Sequence, residues 1–354
     1  MIYRTLRRLL PRVVLSLLLS AATGCSVVHE AATWNTPGSG SSGSGSGSGV
    51  GAGYGASGGA SPSPSPLPPV YNVKPLINPA HKYLGLEIPD APGTIAPAQQ
   101  FASWTGKKPN LLGAYVGWNT GLDTQAVKNA WSYGALYFQV WEPYGVTMQS
   151  IEAGKSDDYV NHFAAAVRTL NLPVALSFGH EMNGDWYPWG TKDTSAADFV
   201  AAWRHIHDLF GKAGATNVIW IWDPNDVYPV PNVKLAPLYP GDKYVDWVGV
   251  TGYWTVDGPH TYSSLFLPTL LDIRQFTEKP FIIAETSVQA GANQVASVDA
   301  LFNAVKTHDD ILGFVWYDYN RQGDWRLENR PGVQAQFKAD AASSKFGFDV
   351  STAR

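Results

Sequence analysis

Of 354 residues only one is a cysteine, Cys25. That excludes an internal disulfide and any zinc site built on several thiolates. Charge is scarce as well. Asp, Glu, Lys and Arg make up 15% of the chain, against about a quarter in ordinary domains. There is no basic excess: 25 Lys and Arg meet 29 Asp and Glu, for a net charge of −4. Nucleic acid and anionic membrane surfaces need a basic face, so neither is expected as a partner. What is abundant is aromatic, with 14 Trp and 17 Tyr. A surface poor in charge and rich in rings suits a neutral ligand with apolar faces, sugar above all. An aromatic-rich core would give the same composition.

The first 78 residues read as delivery apparatus. Arg4, Arg7, Arg8 and Arg12 precede a short apolar run, Val13–Leu19. Residues 1–24 therefore read as a signal peptide. The run is too short to span a bilayer, which takes about 20 residues. The cleavage region Ala22-Thr23-Gly24-Cys25 resembles a bacterial lipobox, which implies lipidation of Cys25. Residues 25–78 are rich in Gly and Ser, then in Pro and Ser, and cannot bury a core. About 40 such residues reach roughly 35 Å as a coil. The expected location is extracellular or at the cell surface, with membrane contact only through the lipid. Gly53, Gly55 and Gly58 satisfy G-x-G-x-x-G. No strand precedes them and no helix follows, so they are not read as a dinucleotide site.

Beyond residue 79 the pattern is regular. Eight short apolar runs read as strands: Tyr83–Ile88, Leu111–Gly117, Leu136–Trp141, Val174–Phe178, Val218–Trp222, Trp247–Gly252, Phe281–Ala284 and Gly313–Tyr317. Near-continuous apolar runs are expected of parallel strands buried on both faces. Helical stretches lie between most of them, at Asp157–Leu170, Ser195–Phe210, Ser297–Val305 and Val333–Ala341. Residues 224–245 are Pro-rich and only weakly helical. Eight such alternations over residues 79–350 fit a single (β/α)8 barrel, with a doubly wound sheet as the alternative. In a barrel the chemistry sits at the C-terminal strand ends.

Those ends collect carboxylates and aromatics. Glu142 follows strand three, His180-Glu181 strand four, Asp223-Pro224-Asn225-Asp226 strand five, Tyr253 strand six and Glu285 strand seven. Strands four and seven face each other across a barrel mouth. Glu181 and Glu285 are thus placed as the carboxyl pair that glycosidic cleavage needs, with retention or inversion set by their separation. A salt-bridged structural role for Glu285 stays open. Gly184 stands where H-E-x-x-H would need its second histidine, so that zinc motif fails. Asp223, Asn225 and Asp226 could hold a cation, but acidic and amide residues are common at strand ends, and no metal or cofactor is expected.

The segment His180-Glu181-Met182-Asn183-Gly184-Asp185-Trp186 resembles the His-Glu-x-Asn-Gly-x-Trp signature of glycoside hydrolase family 26. Tyr253, Glu285 and Asp324-Trp325-Arg326 follow in the family's order. The resemblance implies a retaining hydrolase of β-linked polysaccharide, with Glu181 as acid/base and Glu285 as nucleophile. It further implies that His180 holds the sugar beside the cleaved bond and that Tyr253 hydrogen-bonds Glu285. Trp316 would be the stacking floor, and Trp186, Trp189, Trp141, Glu142, Asn225 and Trp325 would line neighbouring subsites. The implied substrate is β-1,4-mannan. The flanks Ser177-Phe178-Gly179 and Trp186-Tyr187-Pro188-Trp189 depart from the mannanase pattern and keep mixed-linkage β-glucan in view. A single copy is expected to act. A glycan-binding lipoprotein on the same barrel is the competing class; it could dispense with either glutamate, and both are present.

Overall fold

The computed structural model describes residues 68–353 except 292 and 322. The expected signal peptide, Cys25 and the linker up to residue 67 lie outside the described residues. Eight parallel strands close into a barrel in the order of the chain: β1 Tyr83–Glu87, β2 Leu111–Gly117, β3 Leu136–Glu142, β4 Val174–Phe178, β5 Val218–Trp222, β6 Trp247–Thr251, β7 Phe281–Thr286 and β8 Ile311–Tyr317. All eight expected strands are found, each within two residues at either end. No doubly wound sheet forms.

Side chains alternate across this wall. Phe138, Val140, Ala175, Ile219, Ile221 and Val315 pack inside the barrel. Trp141, Leu176, Phe178, Trp222 and Trp316 point outward into a second layer beneath the helices. Each fully buried Leu, Ile, Val or Phe side chain contributes about 1.5–3 kcal/mol, so two concentric apolar layers explain why both strand faces read as hydrophobic.

Ten α-helices are described: α1 Lys74–Ile77, α2 Ala96–Thr105, α3 Thr124–Ser132, α4 Met148–Glu152, α5 Asp157–Leu170, α6 Ala196–Lys212, α7 Tyr262–Leu265, α8 Leu267–Ile273, α9 Gln294–Thr307 and α10 Pro331–Ala341. Helix α5 has the expected bounds and buries Val160, Phe163 and Val167 along one stripe. Ser195 caps α6 by accepting from the Asp198 N–H at 3.1 Å, as its residue type favours. That helix runs past Gly211 and turns only at Gly214, whose φ is +69°. The weakly helical stretch after β5 holds a single 3-10 turn, Ala236–Leu238. None of the described helices is long and apolar enough to cross a membrane.

The folded chain begins before residue 79. Tyr71 N–H donates to Asn171 Oδ1 at 2.8 Å, and α1 buries Leu76 completely. The α1 carbonyls of Leu76 and Ile77 accept from Tyr83 Oη at 2.8 Å and Trp247 Nε1 at 2.9 Å. The last residues of the expected linker therefore close the barrel floor, because Val73 and Leu76 are the apolar plug its lower end needs.

Candidate active site

The upper rim is polar. Inward parity at the strand ends gives Glu87 on β1, Tyr115 on β2, Glu142 on β3, and Asp223 just past β5. Glu87, Glu142 and Asp223 are all buried. The two expected carboxyls join this ring by different routes.

Glu181 lies in the turn after β4. Gly179 and Glu181 both take left-handed backbone, at φ +59° and +52°. For a glutamate that is an uncommon conformation and marks a constrained position. The turn is tied down by Glu181 N–H donating to the Asp223 carbonyl at 2.7 Å and by Gly184 N–H donating to the Glu181 carbonyl at 2.9 Å. Asn183 and Asn225 clamp the β4 and β5 loops reciprocally: Asn183 Nδ2 donates to the Asn225 carbonyl at 2.9 Å, and Asn225 N–H to Asn183 Oδ1 at 2.8 Å. Asn225 Nδ2 then donates to Glu181 Oε1. Trp186 Nε1 donates to Glu181 Oε2 at 2.8 Å. The indole can fold back this far because residue 184 is glycine; a Cβ there would land on the Trp186 ring.

Glu285 reaches the site through an irregularity. Ile282 and Ala284 face into the barrel, so strict alternation would turn Glu285 outward. Against β6, residues 282–285 pair with 249–251, and against β8, residues 283–286 pair with 314–316. At this level β7 thus carries one extra residue against both neighbours, a bulge that re-aims the side chain inward; lower down β8 carries a compensating extra residue, where 281–283 pair with 311–314. There Glu285 Oε1 accepts from Tyr253 Oη and Oε2 accepts from Tyr115 Oη.

The electrostatics separate the pair. Glu181 is 7% exposed, whereas Glu285 is half-buried. Burial, then the charge of Glu285, pushes Glu181 up to about 8, against the pull of Asn225 and Trp186. Burial raises Glu285 too, but the Tyr115 and Tyr253 hydroxyls pull it back. Hydroxyl donors to a carboxylate make strong, short bonds. Two facing carboxyls do not both ionise cheaply, so the charge settles on Glu285 and the proton on Glu181. Glu142 is held at about 7 by burial and by Glu285, opposed by Arg321.

His180 is buried and pushed down to about 3 by desolvation, hence neutral. Its Nε2 meets Tyr187 Oη at 3.2 Å, and its Nδ1 has no protein partner. Trp325 packs against the Tyr253 ring at 4.8 Å and donates from Nε1 to the Arg321 carbonyl at 3.0 Å.

Three expected subsite residues are elsewhere. Trp316 points outward: it is 0% exposed, packs edge-on against Phe337 of α10 and donates to Asp318. Its neighbour Tyr317 has the inward parity and sits 5.8 Å from the Tyr253 ring. Trp141 also faces the outer layer, stacked 4.6 Å from both Trp118 and Phe163. Trp189 is 1% exposed, stacks on Tyr187 at 4.4 Å and donates to the His180 carbonyl at 2.6 Å. It supports the histidine from behind and lines no subsite. The sequence reading missed Tyr115, Tyr187, Tyr317 and Glu87. Counting parity back from the strand ends finds Glu87 and Tyr115, whereas Tyr187 carries no sequence signal of its own. Asp223 and Asp226 are engaged internally, with Thr251 Oγ1 at 3.3 Å and Tyr228 N–H at 2.8 Å. Among the described residues no group of three or more His, Cys, Asp or Glu side chains is placed to hold a metal ion.

The profile of Glycosyl hydrolase family 26 matches residues 127–339. Endoglucanase H of Acetivibrio thermocellus is 28% identical over 257 residues, covering 68% of this chain and 28% of that protein. Mannan endo-1,4-beta-mannosidase A and B of Caldalkalibacillus mannanilyticus is 25% identical over 287 residues, covering 68% of this chain and 54% of that protein. The chain thus spans about a quarter to a half of these relatives' lengths. Among solved structures, a beta-mannanase of this family from Bacteroides ovatus superimposes with a TM-score of 0.60 at 15% identity, covering 78% of this chain and 92% of that one. At that identity the likeness speaks for the barrel alone. The profile spans well over half the sequence and includes Glu181 and Glu285, so the chain belongs to glycosyl hydrolase family 26.

Proposed function

We propose that the protein is a retaining endo-β-glycanase with β-1,4-mannan as its substrate. The observation that carries the chemistry is the carboxyl pair itself, Glu181 and Glu285, each held by two donors; burial and the charge of Glu285 favour the proton on Glu181. Glu285 attacks the anomeric carbon while Glu181 gives its proton to the glycosidic oxygen, so the C–O bond breaks and a glycosyl ester of Glu285 forms. Glu181, now ionised, takes a proton from water as that water attacks the same carbon. The ester breaks, and Glu285 and the protonated Glu181 are restored. No cofactor enters this balance.

Mannan is supported by the mannosidase relative, whereas the higher identity to Endoglucanase H favours β-glucan as the second reading. Reducing-sugar release from galactomannan, glucomannan, barley mixed-linkage glucan, β-1,3-xylan and cellulose separates them. Mannan activity is expected. Activity on mixed-linkage glucan alone would replace the substrate and keep the mechanism. Silence on all five would favour the binding-protein class, and a glycan array would test that.

The leader and Cys25 support an exported, lipid-tethered enzyme. Metabolic palmitate labelling is expected in the wild type and absent in Cys25→Ser; an unlabelled wild type would remove the tether.

A further inference from the structure

Tyr115 stands between two carboxyl groups. Its hydroxyl meets Glu285 Oε2 on one side and Glu87 Oε2 at 2.9 Å on the other. A phenol has one proton to donate, and an ionised carboxylate only accepts. Two ionised carboxylates on one hydroxyl would leave one contact as bare oxygen-to-oxygen repulsion, so one of the two carboxyls must carry a proton. The surroundings decide which. Glu285 has a second donor in Tyr253. Glu87 is 0% exposed, and its Oε1 has no partner at all. The charged side chains that perturb it are Glu285, Asp223 and Glu142, with no cation among them, and only the Tyr115 hydroxyl pulls the other way. An unpaired buried charge is far more costly than a neutral acid in the same place.

We propose that Glu87 is a neutral carboxylic acid that donates its proton to Tyr115 Oη, committing the tyrosine's own O–H to Glu285. Glu87 is then a positioning residue: it fixes the direction of the hydroxyl that keeps the nucleophile ionised, without reaching substrate. Burial, followed by the charge of Glu285, pushes the Glu87 carboxyl well above its ordinary value, in agreement. The place is made for it. A Cβ on Gly113, on the neighbouring strand, would land on the Glu87 side chain, so glycine at that position opens the slot.

This rests on the reading of Glu285 as nucleophile, and the test separates the two. Labelling of wild-type Glu285 by a 2-deoxy-2-fluoro glycoside, together with its turnover, checks the reading. Glu87→Met fills the slot without a donor. It is expected to lower kcat by about tenfold to a hundredfold, the scale of one lost hydrogen bond to a charged group. KM should change little, and the acid limb of kcat/KM should move to higher pH as Glu285 becomes harder to ionise. Glu87→Gln keeps an N–H donor toward Tyr115 and is expected to recover most of that loss and return the acid limb. An infrared difference spectrum of wild type minus Glu87→Gln at neutral pH is expected to show a protonated carboxyl band. It needs no activity and stands even if Glu87→Met fails to fold. The proposal is overturned if the difference shows an ionised carboxylate, if Glu87→Gln is no better than Glu87→Met, or if Glu87→Met keeps wild-type kcat and pH profile.

Discussion

The surroundings of Glu181 and of Glu285 differ in almost every respect except the residue they hold. Glu181 sits on a strained turn past the end of β4, nearly sealed from solvent, with N–H donors from an amide and an indole. Glu285 sits within β7, turned inward by a bulge and only partly exposed, with O–H donors from two tyrosines. On the proposed reading, the carboxyl with less exposure and N–H donors keeps its proton, and the one with more exposure and O–H donors carries the charge. Neither dryness nor donors alone makes the assignment, since burial raises both groups. The difference between two identical side chains is written in their neighbours, and the neighbours are where the comparison can be broken.

The largest effect should come from deleting the groups themselves. Glu285→Ala is expected to lower kcat on the order of 10⁶-fold, the scale of losing a nucleophile. Glu181→Ala should cost about 10²- to 10⁴-fold on polysaccharide and much less on aryl glycosides whose leaving group needs no proton. Equal losses on both substrates for Glu181→Ala would reverse or erase the assignment. Next in size is Tyr253→Phe, which removes one donor from the anion. A loss of about tenfold to a hundredfold in kcat/KM is expected, with the acid limb moving to higher pH. An acid limb that stays in place would show that Tyr253 does not stabilise the charge.

A smaller change in rate but a clear shift in profile is expected from Asn225→Ala. In the wild type, activity should fall as pH rises through about 8, where Glu181 loses its proton. Asn225 favours the ionised form, so its removal should push that alkaline limb upward, read from kcat/KM against pH. A downward move would mean that Asn225 holds the neutral acid. The smallest catalytic effect belongs to Trp316→Phe, which touches neither carboxyl. Its kcat/KM should match wild type while Tm drops, because a void opens beside Phe337. Tyr317→Phe, one residue on, should do the reverse. Loss of activity in Trp316→Phe with Tm intact would restore that tryptophan to the site.

Much of this was legible in the sequence. Eight apolar runs and the amphipathic stripe of α5 declare themselves by period, because each strand is buried on two faces and each helix on one. The rule that chemistry gathers at C-terminal strand ends then picks out His180, Glu181, Asn225, Tyr253 and Glu285 without any contact being known. The aromatics were harder. Trp141 and Trp316 stand beside inward-facing residues and differ from them only in parity, so a count of rings near strand ends cannot tell a sugar platform from core packing.

By itself the sequence determined the barrel, its eight-fold alternation and the two glutamates, because hydrophobic period and strand-end position are properties of the chain in order. Only the tertiary structure decided that Glu285 faces inward, since that depends on one extra residue in β7 relative to β6 and β8. It alone decided that Asn225 and Trp186 reach Glu181, that Tyr115 and Tyr253 reach Glu285, and that Glu87 stands behind Tyr115. A carboxyl's charge is set by the donors and charges that reach it through space, and those come from strands far apart in sequence.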